Sequence, residues 1–156
     1  MSILVRPARE ADLPEMSRVL IASITQLCAA DHGNDADTIA AWTANKTETG
    51  LRQMMSTPGT ELHVAERDGH VVAVGALGDE TITLNYVDPD HRRTGVSRAL
   101  LQGLEAILAQ RGVAVARLKS TATAREFYLS RGWIEDEPVP RGRFITAYPM
   151  HKTLAG

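Results

Sequence analysis

Asn85-Tyr86-Val87-Asp88-Pro89-Asp90-His91-Arg92-Arg93-Thr94-Gly95-Val96-Ser97-Arg98-Ala99-Leu100-Leu101 joins a β-rich run to an amphipathic one through a loop holding one glycine. Thr81 to Val87 is rich in β-branched and aromatic residues and reads as a strand. Leu100, Leu101, Leu104, Ile107 and Leu108 recur at helical spacing up to Gly112. The loop therefore delivers the chain onto a helix start, where the first N–H groups lack intrahelical acceptors and the macrodipole is positive. Gly95 permits a close backbone approach, Arg92, Arg93 and Arg98 add charge, and Thr94 and Ser97 add hydroxyls, which together suit an anion such as a pyrophosphate. The same residues also describe a helix start flanked by solvated arginines, and physical chemistry leaves both readings open. Gly-x-x-x-x-Gly-Lys and Gly-x-Gly-x-x-Gly are both absent, which argues against nucleotide hydrolysis and hydride transfer.

Upstream, Glu61 to Arg67 and His70 to Leu77 alternate about the two-residue turn Asp68-Gly69 and predict a hairpin that continues into Thr81–Val87 as an antiparallel meander. Ile3-Leu4-Val5-Arg6 is a first strand closed by Pro7. Asp12 is placed to cap a helix over 12–29, whose apolar face is Leu13, Met16, Val19, Leu20, Ile24 and Leu27. After the loop 31–35, a second helical stretch starts at Asp35 or Asp37 and runs through Trp42, Leu51 and Met55 to Pro58-Gly59. Downstream, 113–118 predicts a buried strand, 122–130 a helix, and Phe144 to Leu154 a closing strand in which Pro149 marks an edge or bulge. No repeat or linker interrupts this order, so residues 1–156 are expected to form one α+β domain.

The chain of 156 residues is 44% hydrophobic and 23% charged, ordinary values for a globular domain. With 17 basic and 19 acidic residues it carries a formal charge of -2, which offers no global field for nucleic acid or an anionic membrane. Any anion site must be local. Cys28 is the only cysteine, so no intrachain disulfide forms, and its apolar neighbourhood predicts a buried structural thiol. No basic-then-apolar leader and no apolar run near the ~20 residues of a membrane span is present, so a cytoplasmic location is expected.

Arg92-x-x-Gly95-x-Ser97, preceded by Tyr86-Val87-Asp88-Pro89, resembles the acetyl-CoA-binding signature Gln/Arg-x-x-Gly-x-Gly/Ala of the GCN5-related N-acetyltransferase superfamily. Ser97 departs at the last position with a small residue. Ala124-Arg125-Glu126-Phe127-Tyr128-Leu129-Ser130-Arg131-Gly132-Trp133 resembles the family's Ala-x-x-Phe-Tyr-x-x-x-Gly-Phe segment. The chain ends, Ile3 to Leu13 and Tyr148 to Leu154, resemble the opening and closing elements.

The resemblance implies a three-layer α/β/α fold with a mixed, mostly antiparallel sheet splayed between its fourth and fifth strands and helices on both faces. It implies that acetyl-CoA enters the gap, pairing with backbone near Tyr86 and Val87 and resting its phosphates on Arg92 to Arg98, Val96 included. It places Tyr128 as general acid to the departing thiolate. Thr121 stands where the family often has a cofactor-contacting asparagine, and Arg125 is expected near the phosphates. The implied reaction is transfer of an acetyl group to a primary amine of a small molecule or peptide; the alternative is a non-catalytic acyl-CoA sensor. Family members are often dimers. The acceptor site is expected along the first two helices, where Asp31, His32 and Trp42 offer a cation-attracting, partly aromatic surface; Asn85 would orient a water. Asp31 and His32 lack a third ligand at useful spacing, so no metal is expected. The sequence does not identify the base: Glu80 and His63 are candidates to feed a water chain, and each also reads as a surface or strand-end residue.

Overall fold

The structure is a computed structural model that describes residues 2–137, 139–141 and 145–154. β1 (Leu4–Pro7) leads into α1 (Leu13–Leu27), α2 (Ala29–His32), α3 (Ala36–Thr43) and α4 (Glu48–Ser56). The meander β2 (Thr60–Arg67), β3 (His70–Gly78) and β4 (Thr81–Val87) follows, then α5 (Val96–Gln110), β5 (Val115–Ser120), α6 (Arg125–Ser130), β6 (Ile134–Glu135), β7 (Val139–Arg141) and β8 (Ile145–Thr153). The sheet runs β1-β2-β3-β4-β5-β8-β6, with β7 pairing β8. At the β2–β3 turn Asp68 and Gly69 both have positive φ (53° and 79°), the twist a two-residue hairpin needs.

Both faces of the sheet are covered, which is why β3 is buried from Val71 to Leu77 without alternation. Leu100, Leu101, Leu104 and Leu108 of α5 pack on Ala65, Val72, Ala73 and Leu77. On the other face Leu13, Met16, Val19 and Leu20 of α1 and Leu51 of α4 pack on Leu62, Val64, Val71 and Val74. A Cβ on Gly103 would lie 2.8 Å from Val5 Cγ1, so glycine is what lets α5 settle onto β1.

The feature that positions the site is the junction of β4 and β5. They run parallel but pair only at Thr81↔Arg117 and Ile82↔Leu118. Beyond that point β4 stays with β3 as far as Ala73↔Val87, while β5 stays with β8 as far as Ser120↔Tyr148. Their neighbours draw them apart, and the sheet opens as the family resemblance implies.

Local expectations differ from the structure in four places. The first helical stretch ends at Leu27, and the predicted loop begins with the short α2, closed by Gly33 at φ 59°. Asp12 does not cap α1; its carboxylate accepts from Arg6 (2.8 and 2.9 Å) and from the Arg9 backbone N–H (2.7 Å). The second stretch is two helices, capped separately by Asp35 on Thr38 N–H and Thr47 on Gly50 N–H. The chain folds back there, so that a Cβ on Gly50 would lie 2.2 Å from the Asn45 carbonyl oxygen. Pro149 sits in register opposite Lys119 without a bulge, on a strand flanked by β5 and β6. Its carbonyl faces Asp136 N–H, just past the two-residue pairing with β6, so its missing N–H breaks no bond to β5. Phe144 lies outside the described residues.

Candidate active site

A cleft of about 510 Å³ fills the splay. β4 contributes Thr83 to Val87, β5 contributes Leu118 to Ser120, and the loop before α5 contributes Arg92, Arg93 and Gly95. Ser97 and Arg98 of the first turn of α5 also line it.

The loop takes its shape from two residues with positive φ, Arg93 at 61° and Gly95 at 88°. Gly95 is the N-cap of α5, and no side chain caps the helix. The first helical bond is Ala99 N–H to Gly95 O at 3.0 Å, so the N–H groups of Val96, Ser97 and Arg98 precede the hydrogen-bonded ladder. Val96, expected in this loop, is fully buried in the core and lines no part of the cleft. The expected hydroxyl of Thr94 is used within the protein: it donates to the His91 carbonyl and accepts from Arg67 Nη1 at 3.1 Å, while Arg67 Nη2 donates to the Thr94 carbonyl at 3.0 Å. Arg67 is thus a strap from the end of β2 to the middle of the loop. Buried Asp88 fixes the loop's start, accepting from Asp90 N–H (3.0 Å) and Arg18 (3.1 Å). Arg92, Arg93 and Arg98 join no ion pair among the described residues.

Tyr128 reaches the same cleft from α6. It is buried, with Phe127 and Trp133 edge-on at 5.4 and 6.1 Å between centroids. Asn85 Nδ2 donates to its hydroxyl oxygen at 3.0 Å. With the oxygen accepting from Asn85, the phenolic proton is left to point elsewhere. Burial pushes the hydroxyl well above the usual tyrosine pKa, more than the Asn85 bond lowers it, so the group stays protonated across the neutral range. Thr121 lines the cleft while its hydroxyl accepts from Ala124 N–H at 3.1 Å, tying the strand end to α6.

The remaining sequence-derived residues divide. Trp42 lines the cleft, with His32 edge-on behind it at 6.0 Å. Asp31 and His32 are buried and line no part of it. Asp31 accepts from Ala122 N–H (2.7 Å), Thr123 N–H (3.1 Å) and the Thr123 hydroxyl (2.6 Å), so its charge organises the turn before α6. His32 Nδ1 accepts from Asn34 N–H, which leaves Nε2 to donate to the Ile24 carbonyl at 2.7 Å. Arg125 lies outside the lining, bidentate to Glu135 and 5.2 Å from the Tyr148 ring centroid. Glu80 and His63 do not line the cleft either.

The lining also holds residues that sequence reading did not place at the site, among them Ser23, Cys28, Lys46, Lys119 and Arg131. Cys28 is a buried thiol, as its neighbourhood predicts, and burial together with the Asp31 charge pushes its pKa up to about 12. It has no thiolate to offer. Lys46 follows α3 in the link to α4 and no local pattern marks it. Among the described lining residues there is no aspartate, glutamate or histidine.

Residues 16–154 match the family model described as an acetyltransferase (GNAT) domain. This chain belongs to the GNAT acetyltransferase family. Solved structures agree with the assignment of fold. A GCN5-related N-acetyltransferase from Rhodopseudomonas palustris is 25% identical and superposes with a TM-score of 0.86, covering 99% of this chain and 97% of that one. PaiA N-acetyltransferase from Thermoplasma acidophilum, solved with coenzyme A, is 19% identical with a TM-score of 0.82 over 98% and 99% of the chains. YncA, a putative acetyltransferase from Salmonella typhimurium solved with acetyl-CoA, is 22% identical with a TM-score of 0.67 over 100% and 96%. No curated protein matches the sequence significantly. For this GNAT domain, no helix among the described residues is long and apolar enough to cross a membrane.

Proposed function

We propose that the chain is an acetyl-CoA-dependent N-acetyltransferase acting by direct attack of an amine on the thioester, with residues 1–156 working as one domain. The observation that carries this reading is the Tyr128 hydroxyl, buried and held by Asn85 in the same cleft that the glycine loop borders. The N–H groups of Ser97 and Arg98 and the cations Arg92, Arg93 and Arg98, all lining the cleft, suit the two phosphates of the cofactor's pyrophosphate. The β4 backbone at Tyr86 and Val87, lining the gap between β4 and β5, suits the amides of a pantetheine arm.

In the reaction the amine nitrogen forms a bond to the thioester carbon and the carbon–sulfur bond breaks. Tyr128 O–H protonates the departing thiolate and the amine's extra proton passes to water. Tyr128 suits this task because its raised pKa keeps it a donor, and Asn85 turns its oxygen so that the proton is available. The inert Cys28 fits a route without an acyl-enzyme. No carboxylate or imidazole lines the cleft among the described residues, so the acceptor amine enters neutral or loses its proton to solvent.

Heat-shift measurements against acetyl-CoA, CoA, ATP and NAD test the cofactor. Acetyl-CoA and CoA should raise the melting temperature by several degrees at saturating concentrations, and ATP and NAD should not. No shift with either CoA species contradicts the proposal; a shift without thiol release from any amine favours an acyl-CoA sensor instead.

A further inference from the structure

Resting on the acetyltransferase reading with Tyr128 as its acid, we infer that Asp31 is a positioning residue for that acid, a clamp across the splayed sheet that holds the Tyr128 helix to the side carrying Asn85. Asp31 is 9% exposed and lines no part of the cleft. Both of its oxygens are engaged by one short stretch far along the chain. Oδ1 accepts from Ala122 N–H at 2.7 Å, and Oδ2 accepts from Thr123 N–H at 3.1 Å and from the Thr123 hydroxyl at 2.6 Å. Hydrogen bonds to a carboxylate are the shorter and stronger kind, and three of them on one side chain fix a turn more firmly than a single cap does.

The two ends of this clamp belong to opposite halves of the opening. Asp31 lies on α2, which follows α1 directly, and α1 shares its core with Leu84 and Tyr86 of β4, the strand that carries Asn85. Ala122 and Thr123 follow β5, the strand that leaves β4 beyond Ile82↔Leu118. From the held turn the path to the phenol is short. Ala124 N–H donates to the Thr121 hydroxyl at 3.1 Å, and the Ala124 carbonyl accepts from Tyr128 N–H at 3.2 Å. α6 has six residues, too few to be a stable helix alone, so its place comes from its anchors. Behind Tyr128 the anchor is Trp133, whose N–H donates to the Tyr128 carbonyl at 3.1 Å and whose ring lies edge-on. Ahead of it the anchor is Asp31. The 3.0 Å bond from Asn85 to the Tyr128 hydroxyl spans the open part of the splay, where no β4–β5 pairing sets its length. The Asp31 clamp sets it instead.

The test is thiol release from acetyl-CoA with hydroxylamine, an amine small enough for any acceptor site and neutral in ordinary buffer, measured above the spontaneous rate. Asp31→Asn keeps the shape of the side chain but offers one acceptor oxygen where two are used. It should lower kcat about tenfold, and Asp31→Ala about 10²-fold, the scale of a misplaced reacting group. The Kd for acetyl-CoA should stay within a few-fold in both, because the loop before α5 is fixed by Arg67 and Asp88 rather than by Asp31. Combined with Tyr128→Phe, Asp31→Asn should lower kcat almost no further, since a residue acting through the phenol then has nothing to position. Unchanged kcat in Asp31→Asn overturns the inference. So does a fall of equal size when Tyr128→Phe is already present, or a Kd that rises in step with the fall in kcat. Those three results leave the acetyltransferase reading intact. An unmodified protein that does not accelerate thiol release counts against that reading and removes the inference with it, and a Tyr128→Phe variant at full rate does the same to Tyr128 as the acid.

Discussion

At the residue scale, the cleft holds two groups that could be taken for reactive ones, and burial assigns them opposite uses. Tyr128 and Cys28 are both desolvated, so both keep their protons. For an acid that is an advantage, and for a nucleophile it is disabling. Cys28→Ala should therefore retain turnover within a few-fold, and mass spectrometry of the protein after incubation with acetyl-CoA should find no acetyl adduct on Cys28. A stable acetyl-cysteine on the reaction path would contradict direct attack. Asp31, His32 and Arg125 show why residue type alone misleads. Each has the charge or ring a ligand site would use, yet each is spent on a partner that becomes a neighbour only after folding: the turn at 122–123, the Ile24 carbonyl and Glu135.

At the scale of elements, the strand, loop and helix spanning 81–111 were legible because their signals are local: β-branched residues, one glycine and leucines at helical spacing. The break between α3 and α4 was hidden, because it depends on the Asn45 carbonyl lying against Gly50 and on the cap from Thr47. Lys46 was hidden with it. The strap from Arg67 to Thr94 joins residues 27 positions apart and has no sequence signature. It predicts a result specific to the loop. Arg67→Ala should raise the Kd for acetyl-CoA about tenfold by loosening the first-turn N–H groups, with kcat at saturation little changed and Arg67→Lys only partly restoring affinity. An unchanged Kd would mean that the loop keeps its shape without the strap.

For the whole molecule, the two-faced burial of β3 and the opening between β4 and β5 are one design, since α5 and the α1–α4 face hold the meander together while β8 carries β5 away. One buried group sets a pH limit on that assembly. His63 is 5% exposed, on β2, and neither ring nitrogen has a hydrogen-bond partner among the described residues. Burial pushes its pKa below the ordinary 6.5. The unfolded chain therefore binds a proton that the folded one resists, and stability falls as pH drops below about 6.5 toward the depressed folded value. Melting curves between pH 7.5 and 5.5 should show that decline, and His63→Phe should flatten it; an equal decline in the variant would assign the effect to other groups.

The central claim is that Tyr128 protonates the thiolate that leaves the cofactor. It is tested most directly by kcat of Tyr128→Phe, measured beside its Kd for acetyl-CoA. The account predicts a fall in kcat of about 10²–10⁴-fold with Kd held within a few-fold, because the ring and its packing remain while the proton is removed. A variant that turns over at the rate of the unmodified protein would contradict it.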